Sequence, residues 1–378
     1  MESLTFPLLP VRFPSYCLRG CIWKETAYGP TPDPGWFGGH VRGACHASII
    51  FDCDRIYPNH SGPFMARRGS ITALGQLAEA IALVSQGQPG HIVDTLIAER
   101  GQKIVRNPLW PVMRPFLYTL LRYNKAIEFA DDVAKLSGFQ CFEYMSDLLR
   151  LDIGVTHDDR IPASGGFILV SNHPTGIADG VAVFDLLKSR RPDMMIFANR
   201  DAVRVNPRFA EMIIPVEWRE EYKSKPKTRE TLQLTNRAVA EGKVTVLFPS
   251  GRIAYWANGK LNERPWKTSA VGLARKYNLP ILPVHLTARN SGLFYWFAKW
   301  STELRDMTVF HELLNKRGDR FDFLIGNLIP VEHLDGDVNE VTKALERHTV
   351  LDLAADGNAT FSPLAPSKED ETLVSHSL

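Results

Sequence analysis

From residue 150 onward, short continuous apolar runs alternate with segments whose apolar positions recur every three to four residues. The runs predict strands over 166–171, 194–198, 212–217, 244–248, 281–287 and 321–326, and the longer period predicts helices over 180–190, 227–241, 265–277 and 337–350. Alternation of this kind defines an α/β fold, a largely parallel mixed sheet flanked by helices. Upstream the pattern is helical throughout. "SITALGQLAEAIALVSQGQ" has Ser70 as an N-cap and Gly87 as a stop, and 91–102, 107–138 and 141–151 continue in the same period. The sheet is therefore preceded by an N-terminal helical unit over 70–150. Residues 1–69 show neither period, and "YGPTPDPGWFGGH" is turn chemistry, so this part reads as an irregular or disordered extension. The α/β domain spans 151–356, and the polar, aperiodic 357–378 reads as a disordered tail.

Composition changes the picture little. A net charge of +2 over 378 residues gives no global field that would hold a nucleic acid. No stretch reaches the about eighteen apolar residues of a membrane span. The N-terminus lacks a basic start and an unbroken apolar core, so no export signal is expected and the cytoplasmic side is the default. Four of the five cysteines (Cys17, Cys21, Cys45 and Cys53, apart from Cys141) fall early in the chain. Their odd total and spacing fit neither a disulfide framework nor a zinc site, and free thiols are expected.

The candidate chemistry gathers at strand ends. In "SNHPTGIADG", His173 follows an apolar strand and Asp179 precedes an apolar-striped helix. Six positions put the two on different faces of a regular helix, but Pro174-Thr175-Gly176 is turn-forming and would let them meet. A carboxylate behind an imidazole makes a general base. The plainer alternative is that Asp179 caps the helix and His173 is structural. "VTVLFPSGR" ends a strand in Ser250, Gly251 and Arg252, a turn suited to an anion. "IFANRDAVRVNP" brings Asn199, Arg200 and Arg204 to another strand end, with pairing to Asp201 or Glu211 as the plainer reading. "ILPVHL" reads as a buried strand with a proline. Open α/β sheets bind ligands at this edge.

Taken in order, NHPTGIAD (172–179), IFANR (196–200), FPSGR (248–252) and ILPV (281–284) resemble the four blocks of the glycerolipid acyltransferase family. The segment 290–318 is similar to its haemolysin-like bacterial branch. The resemblance covers about 155–335. It implies one-step acyl transfer from acyl-CoA or acyl carrier protein as co-substrate to a lysolipid hydroxyl, with no metal or other cofactor. His173 would be the base and Asp179 its orienting acid. Asn172, Thr175, Gly176, Asn199, Arg200, Arg204, Ser250, Gly251 and Arg252 would contact substrate, and backbone N–H groups of the 172–176 turn would face the oxyanion. Five residues separate His173 from Asp179 where the family usually has four, and Ser250 and Arg252 stand where it usually has Glu and Thr. The second departure points to a lyso-aminolipid acceptor. A non-catalytic lipid-binding protein and a thioester hydrolase are the rival readings.

A lipid acceptor requires contact with a membrane surface. Segments 107–125 and 291–300 mix aromatics with Arg114, Arg122, Lys125 and Lys299, and 221–229 is a basic stretch read as a mobile loop. The expectation is a peripheral protein on the inner membrane. The alternative is that both aromatic segments are interior.

Overall fold

The computed structural model describes residues 90–217 and 219–363. The predicted helix at 70–87, the extension before it and its four cysteines lie outside the described residues.

Five helices come first: α1 (Ile92–Arg100), α2 (Gln102–Val105), α3 (Trp110–Leu120), α4 (Tyr123–Val133) and α5 (Gly138–Leu149). α5 starts at a capping box, in which Ser137 Oγ accepts the Gln140 N–H and the Gln140 side chain accepts the Ser137 N–H. The helical unit is not separate. Phe129, Val133, Phe142, Met145 and Leu149 share one core with the sheet, burying the apolar stripes of α4 and α5 against it.

The sheet comprises β1 (Asp152–Thr156), β2 (Phe167–Ser171), β3 (Met194–Asn199), β4 (Ile213–Val216), β5 (Val244–Leu247), β8 (Ile281–Thr287) and β9 (Arg320–Ile325). Their spatial order is β1-β9-β8-β2-β5-β3-β4, and every pairing is parallel except β8 with β9. β2 is central and buried along its whole length, as its Phe-Ile-Leu-Val run requires. Its side chains alternate faces. Phe167 and Leu169 join a core with α6 (Ile177–Leu187), while Ile168 and Val170 join one with α9 (Ser269–Tyr277) and α13 (Val338–Arg347). Truncating a side chain as large as Phe184 in the first core would cost about 3–5 kcal/mol.

β8 tolerates Pro283 inside the sheet because the β9 ladder stops one residue away, at Val284 opposite Ile325. The Pro283 carbonyl then accepts the Gly326 N–H at 2.9 Å. A Cβ on Gly326 would stand 2.9 Å from both Pro283 Cγ and Leu353 Cδ1, so only glycine allows this approach.

Three expectations change. β1 was not foreseen. The tail is ordered at its start: Phe361 is buried, and Arg160 donates to the Gly357 carbonyl at 2.7 Å and to Asn358 Oδ1 at 2.6 Å. The stretch 221–229 is not a loop throughout, since α8 (Lys225–Ala240) begins within it and accommodates Pro226 in its first turn. Lys227 is tied there to Glu217 Oε2 and the Tyr222 carbonyl.

Candidate active site

The chain leaves β2 at Ser171, turns sharply, and enters α6 at Ile177. Asn172 anchors the turn to the neighbouring strand: its Nδ2 donates to the Leu286 carbonyl at 2.8 Å, and its Oδ1 accepts the Leu286 N–H at 2.7 Å. Gly176 sits at φ 97° and ψ −120°, a region essentially closed to other residues, and a Cβ there would lie 2.7 Å from Ile253 Cδ1.

This turn brings His173 Nδ1 to 2.9 Å from Asp179 Oδ2. Asp179 is wholly buried. It also caps its own helix, accepting the N–H groups of Thr175 at 2.9 Å and Gly176 at 3.0 Å, with Thr175 Oγ1 donating to its second oxygen. Orienting acid and helix cap are thus one carboxylate. The ring N–H is not aligned on Oδ2 as a hydrogen bond, so the contact is one of proximity; such contacts often tighten only once substrate is bound. The imidazole lies against the Phe248 ring, with centroids 4.4 Å apart and planes at 24°.

The segment after β5 folds over the turn. Ala254 N–H donates to the His173 carbonyl at 2.9 Å and Lys267 N–H to the Pro249 carbonyl at 3.0 Å. Between them runs a hairpin, β6 (Tyr255–Ala257) and β7 (Lys260–Asn262), turned by Asn258 and Gly259 at positive φ. Trp256 of this hairpin approaches Tyr295 of α10 (Gly292–Trp300), ring centroids 5.8 Å apart. The Tyr295 hydroxyl accepts the Asn290 N–H, and Asn290 Nδ2 donates to the Thr175 carbonyl. The hairpin and α10 are thus joined through their aromatic rings, and Asn290 ties the start of α10 to the His173 turn.

The other sequence-predicted residues divide in two. Ser250, Gly251 and Arg252 are brought to the corner, since β5 is the direct neighbour of β2. Ser250 Oγ donates to the Arg252 carbonyl at 2.9 Å, and Lys267 Nζ lies 3.5 Å from where a Gly251 Cβ would be. Arg252 is exposed, and neither it nor Lys267 forms an ion pair among the described residues. Asn199 ends β3 and Arg200 and Arg204 follow it, two strands from β2 and so about 10 Å away along the sheet. Their side chains have internal partners. Asn199 Oδ1 accepts the Asp201 N–H, Arg200 pairs with Glu230 at 2.7 Å, and Arg204 grips both oxygens of Glu99 at 2.6 and 2.9 Å. Arg219 and Arg100 complete this network on Glu99, Asp201 and Glu217. The Arg204 hydrogen bond holds the Glu99 carboxyl down to about 2. The network braces α1 against the sheet.

Four of the five positions in the 172–176 turn offer no free N–H to an oxyanion. The N–H groups of Thr175 and Gly176 are engaged by Asp179, that of His173 by Glu263 Oε2 at 3.0 Å, and Pro174 has none. Glu263, Phe248 in its stacking role, and Asn290 were not identified from sequence.

One α3 face is apolar and open. Leu109, Val112, Phe116 and Leu120, at helical spacing, are exposed, Phe116 to 67%. Trp296 and Trp300, one turn apart on α10, are also exposed, Trp300 to 74%, while Phe294 and Phe297 point inward. Neither segment is therefore wholly interior. Among the described residues no helix is long and apolar enough to cross a membrane.

Residues 152–287 match the protein family described as Acyltransferase. The chain is 23% identical over 226 residues to a lyso-glycine lipid O-acyltransferase of Phocaeicola vulgatus, covering 58% of this chain and 79% of that protein. It is 21% identical to a protein of the same description from Bacteroides thetaiotaomicron, covering 58% and 81%. The crystal structure of the 1-acyl-sn-glycerophosphate (LPA) acyltransferase PlsC from Thermotoga maritima aligns with 74% of this chain and 94% of its own, at 14% identity and a TM-score of 0.38.

Proposed function

The chain belongs to the acyltransferase family through residues 152–287, and from that premise we propose that it is a lysolipid O-acyltransferase working at a membrane surface. The observation that carries this reading is the 2.9 Å approach of His173 Nδ1 to the buried Asp179. It leaves Nε2 as the ring's free nitrogen. Nε2 takes the proton of the acceptor hydroxyl, and the oxygen attacks the carbonyl of an acyl thioester, either acyl-CoA or an acyl carrier protein. Asp179 stabilises the imidazolium as it forms. The tetrahedral intermediate collapses with loss of the C–S bond, and the imidazolium returns its proton to the leaving thiolate. The first-turn N–H groups of Ile177 and Ala178, which a helix start leaves without intrahelical acceptors, are where the developing oxyanion would be held.

The acceptor we infer is a lyso-aminolipid. The curated relatives are described as acting on a lyso-glycine lipid, and a glycine head group ends in a carboxylate. Arg252 and Lys267, unpaired at the mouth, are suited to receive it. Membrane contact falls to the exposed faces of α3 and α10.

The test is acyl transfer from acyl-CoA, and separately from acyl carrier protein, to lyso-glycine lipid and to lysophosphatidate. His173→Ala should lower turnover by roughly 10³-fold or more with Tm unchanged. If it turns over like the wild type, His173 is not the base. If acyl thioester is consumed equally without lysolipid, the protein is a hydrolase.

A further inference from the structure

Glu263 follows the β6–β7 hairpin and reaches back under the His173 turn. Its Oε2 accepts the His173 N–H at 3.0 Å. Its Oε1 is shut off from solvent and no donor is aligned on it, although the Ser250 hydroxyl and the Arg264 N–H lie near the carboxyl. The Ser250 hydroxyl lies beside the carboxyl but gives its own hydrogen to the Arg252 carbonyl. No cation pairs with Glu263 among the described residues, and neighbouring Arg264 places its guanidinium over the Tyr255 ring, 4.5 Å from the centroid. The titratable group facing it is His173, whose Nδ1 in turn approaches Asp179.

We propose that Glu263 is a neutral carboxylic acid that positions His173: Oε2 accepts the His173 N–H, and the proton on Oε1 is donated to Ser250 Oγ. Each group then has a partner. Ser250 accepts from Glu263 and donates to Arg252, so a chain of hydrogen bonds runs from the His173 backbone to the 249–252 turn. With the Ser250 hydroxyl committed to the Arg252 carbonyl, an ionised carboxylate would leave Oε1 closed to water and without an aligned donor, a penalised arrangement. Burial also raises the carboxyl above its usual range. The consequence for the reaction is that Asp179 remains the single anion beside the imidazole. A second one would hold the ring in its protonated form, which cannot act as a base.

The inference deepens the reading above and rests on it for the role of His173. Its first readout does not need activity. The infrared spectrum of the protein at neutral pH should contain a protonated-carboxyl stretch that disappears in Glu263→Gln and moves to higher frequency in Ser250→Ala. Gln keeps one acceptor and one donor, so Glu263→Gln should retain kcat within about threefold and leave the acid limb of the pH–rate profile in place. Glu263→Ala should lower kcat by about tenfold or more with KM little changed. Absence of the band, a shifted acid limb in Glu263→Gln, or a kcat for Gln as low as for Ala would overturn the proposal. If the Ala variant does not fold, the infrared and pH results for Gln decide it. A fully active His173→Ala would remove the proposed function while leaving the infrared result to stand.

Discussion

His173 and Phe248 are stacked, one at the end of β2 and the other just past the end of β5, with ring centroids 4.4 Å apart. The contact joins two neighbouring strands through the ring that the chemistry needs held. An aromatic pair of this kind is worth about 0.5–1.5 kcal/mol. Phe248→Ala should therefore lower kcat by about threefold to tenfold through a less ordered imidazole, with a smaller change in KM. Steady-state kinetics on the purified variant checks this. Unchanged kcat would mean that Asp179 and the backbone hold the ring by themselves.

The arginines after β3 offer a sharper choice. Arg204 and Arg219 share Glu99, and Asp201 also receives both. Asp201 and Glu217 are buried, so removing Arg219 thins their compensation. Arg100 and Arg204 still reach Asp201 and Lys227 still reaches Glu217, which keeps the loss below that of a buried charge left alone, about 3–5 kcal/mol. Arg219→Ala should lower Tm and Arg204→Ala less so. Arg200→Ala, which frees an exposed Glu230, should lose under about 1 kcal/mol. Thermal melts alongside acceptor titrations distinguish brace from binding site. A raised acceptor KM at unchanged Tm in Arg204→Ala would return this segment to substrate recognition.

That network shows why some of the site was legible in the sequence and some was not. β2, its turn and α6 are one continuous stretch, so a change of period from strand to helix with His173 and Asp179 at the junction is visible locally. Arg204 meets a glutamate 105 residues away, and His173 meets Glu263 across 90. No local pattern encodes such pairs. β1 escaped because it is an edge strand of five residues with two apolar positions, Ile153 and Val155, too few repeats for the period to stand out. The β6–β7 hairpin did carry a signal: Asn258-Gly259 between "YWA" and "KLN" is the turn such hairpins favour.

A buried histidine, His348, and a half-buried one, His285, should make the fold acid-sensitive. His348 has neither ring nitrogen hydrogen-bonded and packs edge-on to Phe361, centroids 5.6 Å apart, and His285 binds only the Thr349 carbonyl. Burial holds both below the ordinary 6.5. The unfolded chain then binds protons that the folded chain refuses. Their contribution is fully present above pH 6.5 and is lost as pH falls toward the lower folded values, by at most about 1.4 kcal/mol per pH unit for each ring. Glu263 and Glu346, raised by burial, act in the opposite sense: their contribution is present below 4.5 and lost as pH rises through their folded values. Denaturant melts from pH 5 to 8 should show stability falling on the acid side, and His348→Phe should flatten that fall. An unchanged slope in the variant would assign the acid sensitivity elsewhere.

The open faces of α3 and α10 set the last expectation. Four apolar side chains on one helix face and two indoles one turn apart on another are more than scattered surface apolar residues require. If they enter the interfacial region of a bilayer, the purified protein should float with liposomes. Phe116→Glu and Trp300→Glu should each weaken flotation and their combination abolish it, because a carboxylate at that depth must be either desolvated or neutralised. Both sites are exposed, so Tm should stay within about a degree of wild type. Turnover should fall for lysolipid presented in vesicles and hold for a short-chain acceptor dissolved as monomer. That contrast separates membrane contact from damage to the His173 corner. Equal loss on both substrates would show that these side chains serve the site instead.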